Sequence, residues 1–160
     1  MDMAVKQIAV RKSITVNAPA AHVFRTFTAN QNDWWPRSHH IGGSDRFTAI
    51  VEPRVGGRWF ERSADGKECD WGRVLVWEEG KRIVLSWDLN AEFRYDPTLN
   101  TEVEVRFIPE TPKRTRVELE HRGLERYGDK AAKMREIYDG PDAWAGTLSF
   151  MRDHAEKTLG

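Results

Sequence analysis

Apolar and polar residues alternate with a period of two through the middle of the chain. In Thr101–Ile108, Val103, Val105 and Phe107 alternate with Glu102, Glu104 and Arg106. Thr115–Arg122 repeats the pattern, with Val117, Leu119 and His121 against Arg116, Glu118, Glu120 and Arg122. Alternation with charge on one side predicts an antiparallel sheet with one wet face. Arg82–Leu89 places Ile83, Leu85 and Trp87 on one face, and the β-branched run Ile8–Val16 predicts a first strand. Arg46–Glu52 predicts a strand stopped by Pro53. Arg58–Arg62 and Lys67–Glu78 flank Ala64-Asp65-Gly66, whose Asp-Gly is a hairpin signal. Gly56-Gly57 permits a tight turn or bulge, and Glu79-Gly80-Lys81 and Pro109–Lys113 supply further turns.

The period changes near both ends. After Asn17-Ala18-Pro19, a capping side chain and a first-turn proline, Val23, Phe24 and Phe27 recur at helical spacing over Ala20–Thr28. Gln31–Trp34 predicts a further turn of helix that gives way to loop, because Pro36 disfavours helix at Trp35. Ala131–Tyr138 predicts a short helix. Asp139-Gly140-Pro141 then opens the longest one, Pro141–Thr158. On its wheel Trp144, Leu148, Met151 and Ala155 form one line flanked by Phe150 and His154, opposite Arg152, Asp153, Glu156 and Lys157. The apolar line must meet the dry face of the sheet. The elements define an α+β fold: one strand, a short helical pair, about six more antiparallel strands and a long terminal helix. A curled sheet cannot meet one helix along its whole length, so a cavity is expected between them.

The 160 residues suit a single domain over residues 1–160. Lys plus Arg and Asp plus Glu both number 25, and a net charge of zero excludes the basic face of a polyanion or membrane-surface binder. Cys69 is the lone cysteine, which rules out an intrachain disulfide and a cysteine-based zinc site. Met1–Lys6 lacks the layout of a signal peptide, and the uncharged run Ile14–Phe24 is about half a membrane span. A cytoplasmic protein is expected. The unusual feature is seven tryptophans beside seven phenylalanines and three tyrosines, a surface that must serve a core, a pocket or an interface.

Several stretches carry a family resemblance. They are Ile14-Thr15-Val16-Asn17-Ala18-Pro19 with Val23-Phe24, Trp34-Trp35, and Val55-Gly56-Gly57-Arg58-Trp59. Gly72-Arg73-Val74, Lys81–Trp87 and Thr115–Gly123 complete them. In this order they resemble the START-like, SRPBCC superfamily and, within it, bacterial single-domain members of the family of homologues of the activator of heat-shock-protein-90 ATPase. Ala143-Trp144 stands where that family often has Gly-Trp. The resemblance implies a helix-grip fold with a hydrophobic cavity between sheet and terminal helix. It implies binding of lipids, polyketides or other apolar molecules, catalysis of cyclisation or hydrolysis, or chaperone contact in a stress response. The extra N-terminal domain of the eukaryotic co-chaperone is not in this sequence. No cofactor is implied.

The residues expected to line or rim the cavity are Phe27, Trp35, His39, Trp59, Glu61, Trp87, Phe93, Tyr95, Val105, Leu119, His121, Trp144, Leu148 and Met151. Trp71 and Trp77 have no evident side. His121 shares the parity of Val117 and Leu119. It is either a core histidine with its bonds satisfied or a group that orients a ligand. Glu61 shares the parity of Trp59, and facing inward it needs a partner, with His121 and Arg94 as candidates. A bulge after Gly56-Gly57 would instead turn it to solvent. An inward Glu61–His121 pair could move protons. Adjacent His39-His40 chelate poorly, so a metal would need Cys69, Asp70 or His121 as well, and no metal spacing is present. Three functions stay open: a binder of hydrophobic or aromatic small molecules, a cyclase or hydrolase using Glu61 and His121, and a chaperone-associated module. Monomer and weak dimer are both compatible with the charge and with an exposed edge strand.

Overall fold

In the computed structural model, which describes residues 7–159, the strands are β1 (Ala9–Val16), β2 (Phe47–Val51), β3 (Arg58–Ser63), β4 (Glu68–Glu78), β5 (Arg82–Trp87), β6 (Thr101–Thr111) and β7 (Arg114–Arg122). The helices are α1 (Ala20–Phe27), α2 (Ala131–Asp139) and α3 (Gly146–Lys157), with short 3-10 segments at Gln31–Asp33 and Leu124–Lys130. The Met1–Lys6 segment, read above as no signal peptide, lies outside the described residues.

The strands form one antiparallel sheet in the order β1-β7-β6-β5-β4-β3-β2. The alternation sorts as expected. Val103, Val105, Phe107, Val117 and Leu119 are buried, while Glu102, Glu120 and Arg122 pair on the other face. Glu104 sits at the centre of that face with Arg82, Arg106 and Arg122. Burial alone would raise its carboxyl, but hydrogen bonds from the three guanidinium groups hold it at about 2. Register shifts at Trp59/Phe60, Val74/Val76 and Pro109/Thr111 add bulges, which bend a sheet. The last lets β6 run through Pro109 to Thr111, where the sequence suggested only a turn. The Asp65-Gly66 hairpin forms as predicted, with Gly66 at φ 92 and the Lys67 amide on Asp65 Oδ1.

The free edge of β2 is capped at two of its backbone groups. Arg37 donates to the Phe47 carbonyl at 2.7 Å and Asn32 Oδ1 accepts the Ala49 amide at 3.0 Å, so side chains occupy groups a further strand would use.

Two helical expectations need correction. Asn17 does not cap α1. Pro19 is the capping residue, without a side-chain bond, and the Asn17 amide instead donates to Glu156 at 2.8 Å. The terminal helix is not continuous from Pro141. Pro141–Ala145 forms a wide π-type turn with Ala143 outside helical geometry (φ −94, ψ −124), and α3 begins at Gly146. Gly146 lies so close to this turn that a Cβ there would stand 2.8 Å from the Pro141 carbonyl oxygen. Leu148, Met151 and Ala155 are buried as the wheel required, while Phe150 is exposed.

Candidate functional site

The sheet's concave face, the Trp34-Trp35 segment, α2 and the Pro141–Ala145 turn bring large rings together. Trp35 stacks on Trp71 with centroids 5.2 Å apart and lies 5.9 Å from Trp59 and 6.2 Å from Trp144. Trp59 meets Trp71 at 5.4 Å and Trp87 at 5.5 Å. Trp87 meets His121 at 5.3 Å, Trp144 at 5.4 Å and Tyr138 at 5.7 Å. Trp71 faces inward because it is the extra residue of the β3–β4 bulge: Asp70 and Gly72 pair with Phe60 and Trp59, and Trp71 is left over. Trp77 packs edge-on to Phe24 at the far end of the core.

All seven indole N–H groups are spent inside the protein. Trp34 donates to the Thr26 carbonyl, Trp35 to the His39 carbonyl, Trp59 to Gln31 Oε1 and Trp71 to Glu61. Trp77 donates to Glu79, Trp87 to the Tyr138 hydroxyl and Trp144 to His121 Nδ1. These bonds fix ring orientation and leave only ring faces and edges for anything else to contact.

His121 is fully buried. Its Nδ1 lies 3.1 Å from Trp144 Nε1, which can only donate, so Nδ1 carries the lone pair and Nε2 the proton. Nε2 faces Thr101 Oγ1 at 3.1 Å, and Thr101 in turn donates to the Trp87 carbonyl at 2.6 Å. Burial lowers the imidazole to about 3, so it is neutral at physiological pH. Beside it a second chain runs one way. Trp87 donates to Tyr138, Tyr138 to Tyr127 at 2.9 Å, and Tyr127 to the Leu89 carbonyl at 2.6 Å. Burial pushes the Tyr127 phenol up to about 12, and Tyr138 is raised as well.

Glu61 faces inward and is fully buried, so the bulge that would have exposed it is absorbed by β4 instead. Neither expected partner holds it. Its carboxylate accepts the Ile41 amide at 2.6 Å, the Gly42 amide at 3.1 Å and Trp71 Nε1 at 2.8 Å. Arg94 is exposed. Trp71, Trp59 and Trp87 stand between Glu61 and His121. The proposed Glu61–His121 proton-transfer pair therefore does not form. Each group is consumed by its own set of partners.

The other candidates divide. Trp35, Trp59, Trp87, Trp144, Val105, Leu119, Leu148 and Met151 are buried in the one core. Phe27 is buried farther back, against Trp34 and Phe107. His39 is half-buried at the edge of Trp35, and burial lowers its imidazole. Tyr95 is not with the rings: it is half-buried beside Arg73, Asp70 and Asp88. Phe93 is 39% exposed. Among the described residues no three His, Cys, Asp or Glu gather as metal ligands. Clefts of about 370 and 650 Å³ lie not between sheet and helix but over the outer strands. They are lined by groups such as Arg11, Glu120 and Arg106, and Arg11, Arg122 and Arg126.

Sequence reasoning missed Thr101, Gln31, Tyr127 and Tyr138. Thr101 had a readable signal, since it shares the parity of Val103 and Val105. Gln31, Tyr127 and Tyr138 sit on short helical segments, where their partners could not be read from spacing.

The sequence of residues 17–140 matches the model of the family described as activator of Hsp90 ATPase homolog 1-like protein. The chain belongs to this family. Solved structures agree. The chain is similar to the anthrahydroquino-gamma-pyrone synthase Txn09, with 37% identity, 94% of this chain and 99% of the other covered, and a TM-score of 0.65. It is similar to CalC from Micromonospora echinospora, a self-sacrificing resistance protein, with 31% identity, coverage of 93% and 94%, and a TM-score of 0.69. The Aha1 dimer from Colwellia psychrerythraea shares the fold, at 17% identity, coverage of 96% and 99%, and a TM-score of 0.61. No curated protein matches the chain. No helix among the described residues is long and apolar enough to cross a membrane.

Proposed function

We propose that this chain, as one ligand-binding domain, holds a flat polycyclic aromatic molecule between its curled sheet and its terminal helical segment. The observation that carries the reading is the ring assembly of Trp35, Trp59, Trp71, Trp87 and Trp144, whose N–H groups are all internally paired. Rings locked in this way recognise a ligand by stacking and edge contacts rather than by hydrogen bonds. A lipid chain would gain apolar burial there but none of the ring-to-ring stacking. Txn09, a synthase of an anthrahydroquino-gamma-pyrone by its description, supports a reading in which an aromatic small molecule is handled.

Binding is favoured over catalysis because Trp144 occupies the lone pair of His121 Nδ1, and three donors hold the Glu61 carboxylate in a fully buried position. Titration with anthraquinone sulfonate and with decanoate, followed by tryptophan fluorescence, tests the reading. Saturable quenching by the anthraquinone alone is expected, and flat titrations with both would sink it. The family description supports a second reading, contact with a chaperone. Stimulation of a chaperone ATPase by the purified protein would favour it.

A further inference from the structure

Among the described residues, Phe93 is an exposed ring that touches the buried assembly. Its ring centroid lies 6.5 Å from that of Tyr138, edge to face, and Tyr138 continues inward to His121 at 4.6 Å and Trp87 at 5.7 Å. Phe93 is also a backbone outlier. Its φ is +55, the left-handed region, which it shares among the described non-glycine residues with Asn100 alone. Asparagine tolerates that region. For a bulky side chain it is strained, because Cβ crowds the following carbonyl.

The surrounding loop enforces the strain. Asn90 Oδ1 accepts the amides of Glu92 and Arg94, both at 3.0 Å, and the Phe93 amide donates to the Asn90 carbonyl at 2.9 Å. Glu92 pairs with Lys130 at 3.0 Å, which ties the turn to the segment carrying Tyr127. Glycine would fill this position without strain. Phenylalanine here spends backbone energy on a residue that stays 39% exposed, so burial offsets the strain only in part. Strain held in place around an exposed aromatic points to contact with something outside the fold.

We propose that Phe93 is the specificity-determining ring at the mouth of the site. Its ring packs at right angles to Tyr138 in the free protein and clamps the outer ring of a polycyclic ligand when one is bound. The inference rests on the aromatic-ligand reading above and adds to it where the ligand lies and what selects for ring count. A one-ring compound that reaches Trp87 would not touch Phe93, whereas a three-ring compound would.

The test compares wild type with Phe93→Leu and Phe93→Gly, using anthraquinone sulfonate and benzenesulfonate as probes. Loss of one aromatic pair is expected to weaken the anthraquinone about tenfold in both variants and to leave benzenesulfonate unchanged. Phe93→Gly also removes the backbone strain, so it should melt no lower than wild type, which separates loss of contact from loss of fold. If wild type binds the anthraquinone and both variants bind it equally well, Phe93 is no clamp and this inference fails while the functional reading stands. If wild type binds neither probe, both fail. An equal loss of both probes in the two variants would also overturn the selectivity claimed here.

Discussion

Acidification should destabilise this protein through His121 well before its carboxylates are protonated. In the unfolded chain the imidazole has its ordinary value of 6.5, and in the fold it is lowered to about 3. Between those values the unfolded state binds one more proton than the native state, so stability falls as pH falls, by about 1.4 kcal/mol per unit. From pH 7 to pH 5 the loss comes to about 2 kcal/mol. The full effect, about 5 kcal/mol, is reached only near pH 3. The structural cause is specific: a proton on Nδ1 would point at the Trp144 N–H, 3.1 Å away, on a fully buried ring. Urea unfolding at pH 7 and pH 5 should be compared between wild type and His121→Gln, whose amide can still accept from Trp144 and donate to Thr101. Glu104 does not confuse this comparison, because its stabilisation is present above about 4.5 and is lost only as pH falls towards 2. His39, also lowered by burial, contributes equally to both proteins. Equal pH dependence in the two proteins, or a His121 ring resonance titrating near 6.5, would refute the assignment.

Two further outcomes follow from close contacts. Gly72→Ala should destabilise by more than about 3 kcal/mol or prevent folding, because the new methyl would stand 1.7 Å from the Ser86 carbonyl oxygen of the adjacent strand; a thermal melt within a few degrees of wild type would contradict it. Glu61→Gln keeps an acceptor for Ile41 and Trp71 but turns an NH2 group towards the Gly42 amide. It should cost about 1–3 kcal/mol and speed hydrogen exchange at Gly42, whereas unchanged exchange there would show that the carboxylate does not hold the loop.

The sheet was legible because the period of two records which side of each strand is wet, and that is a local property. Thr101–Ile108 and Thr115–Arg122 declare their faces in the side chains alone. The apolar line of the last helix was legible for the same reason. The facing of Glu61 was half legible: parity with Trp59 was right, but whether a bulge reversed it depended on which of two paired strands took the extra residue. That was settled on β4, by Trp71. Partners were not legible at all. Glu61 and His121 looked like a pair because both are polar residues on an inward face, yet three tryptophans separate them. Nothing in a sequence measures distance across a core.

The tryptophan count alone determined that a large aromatic surface had to serve a core, a pocket or an interface. The tertiary structure alone decided what they became. A hydrogen-bond donor on a buried ring must find an acceptor, and the acceptors — Gln31, Glu61, His121, Tyr138 and the backbone carbonyls of Thr26 and His39 — come from segments far apart in the chain. The break at Ala143, next to the Trp144 that donates to His121, likewise appears only in the tertiary structure. A helix running unbroken from Pro141 satisfies the local rules in the sequence, whereas in the fold the chain breaks at Ala143 and α3 begins at Gly146.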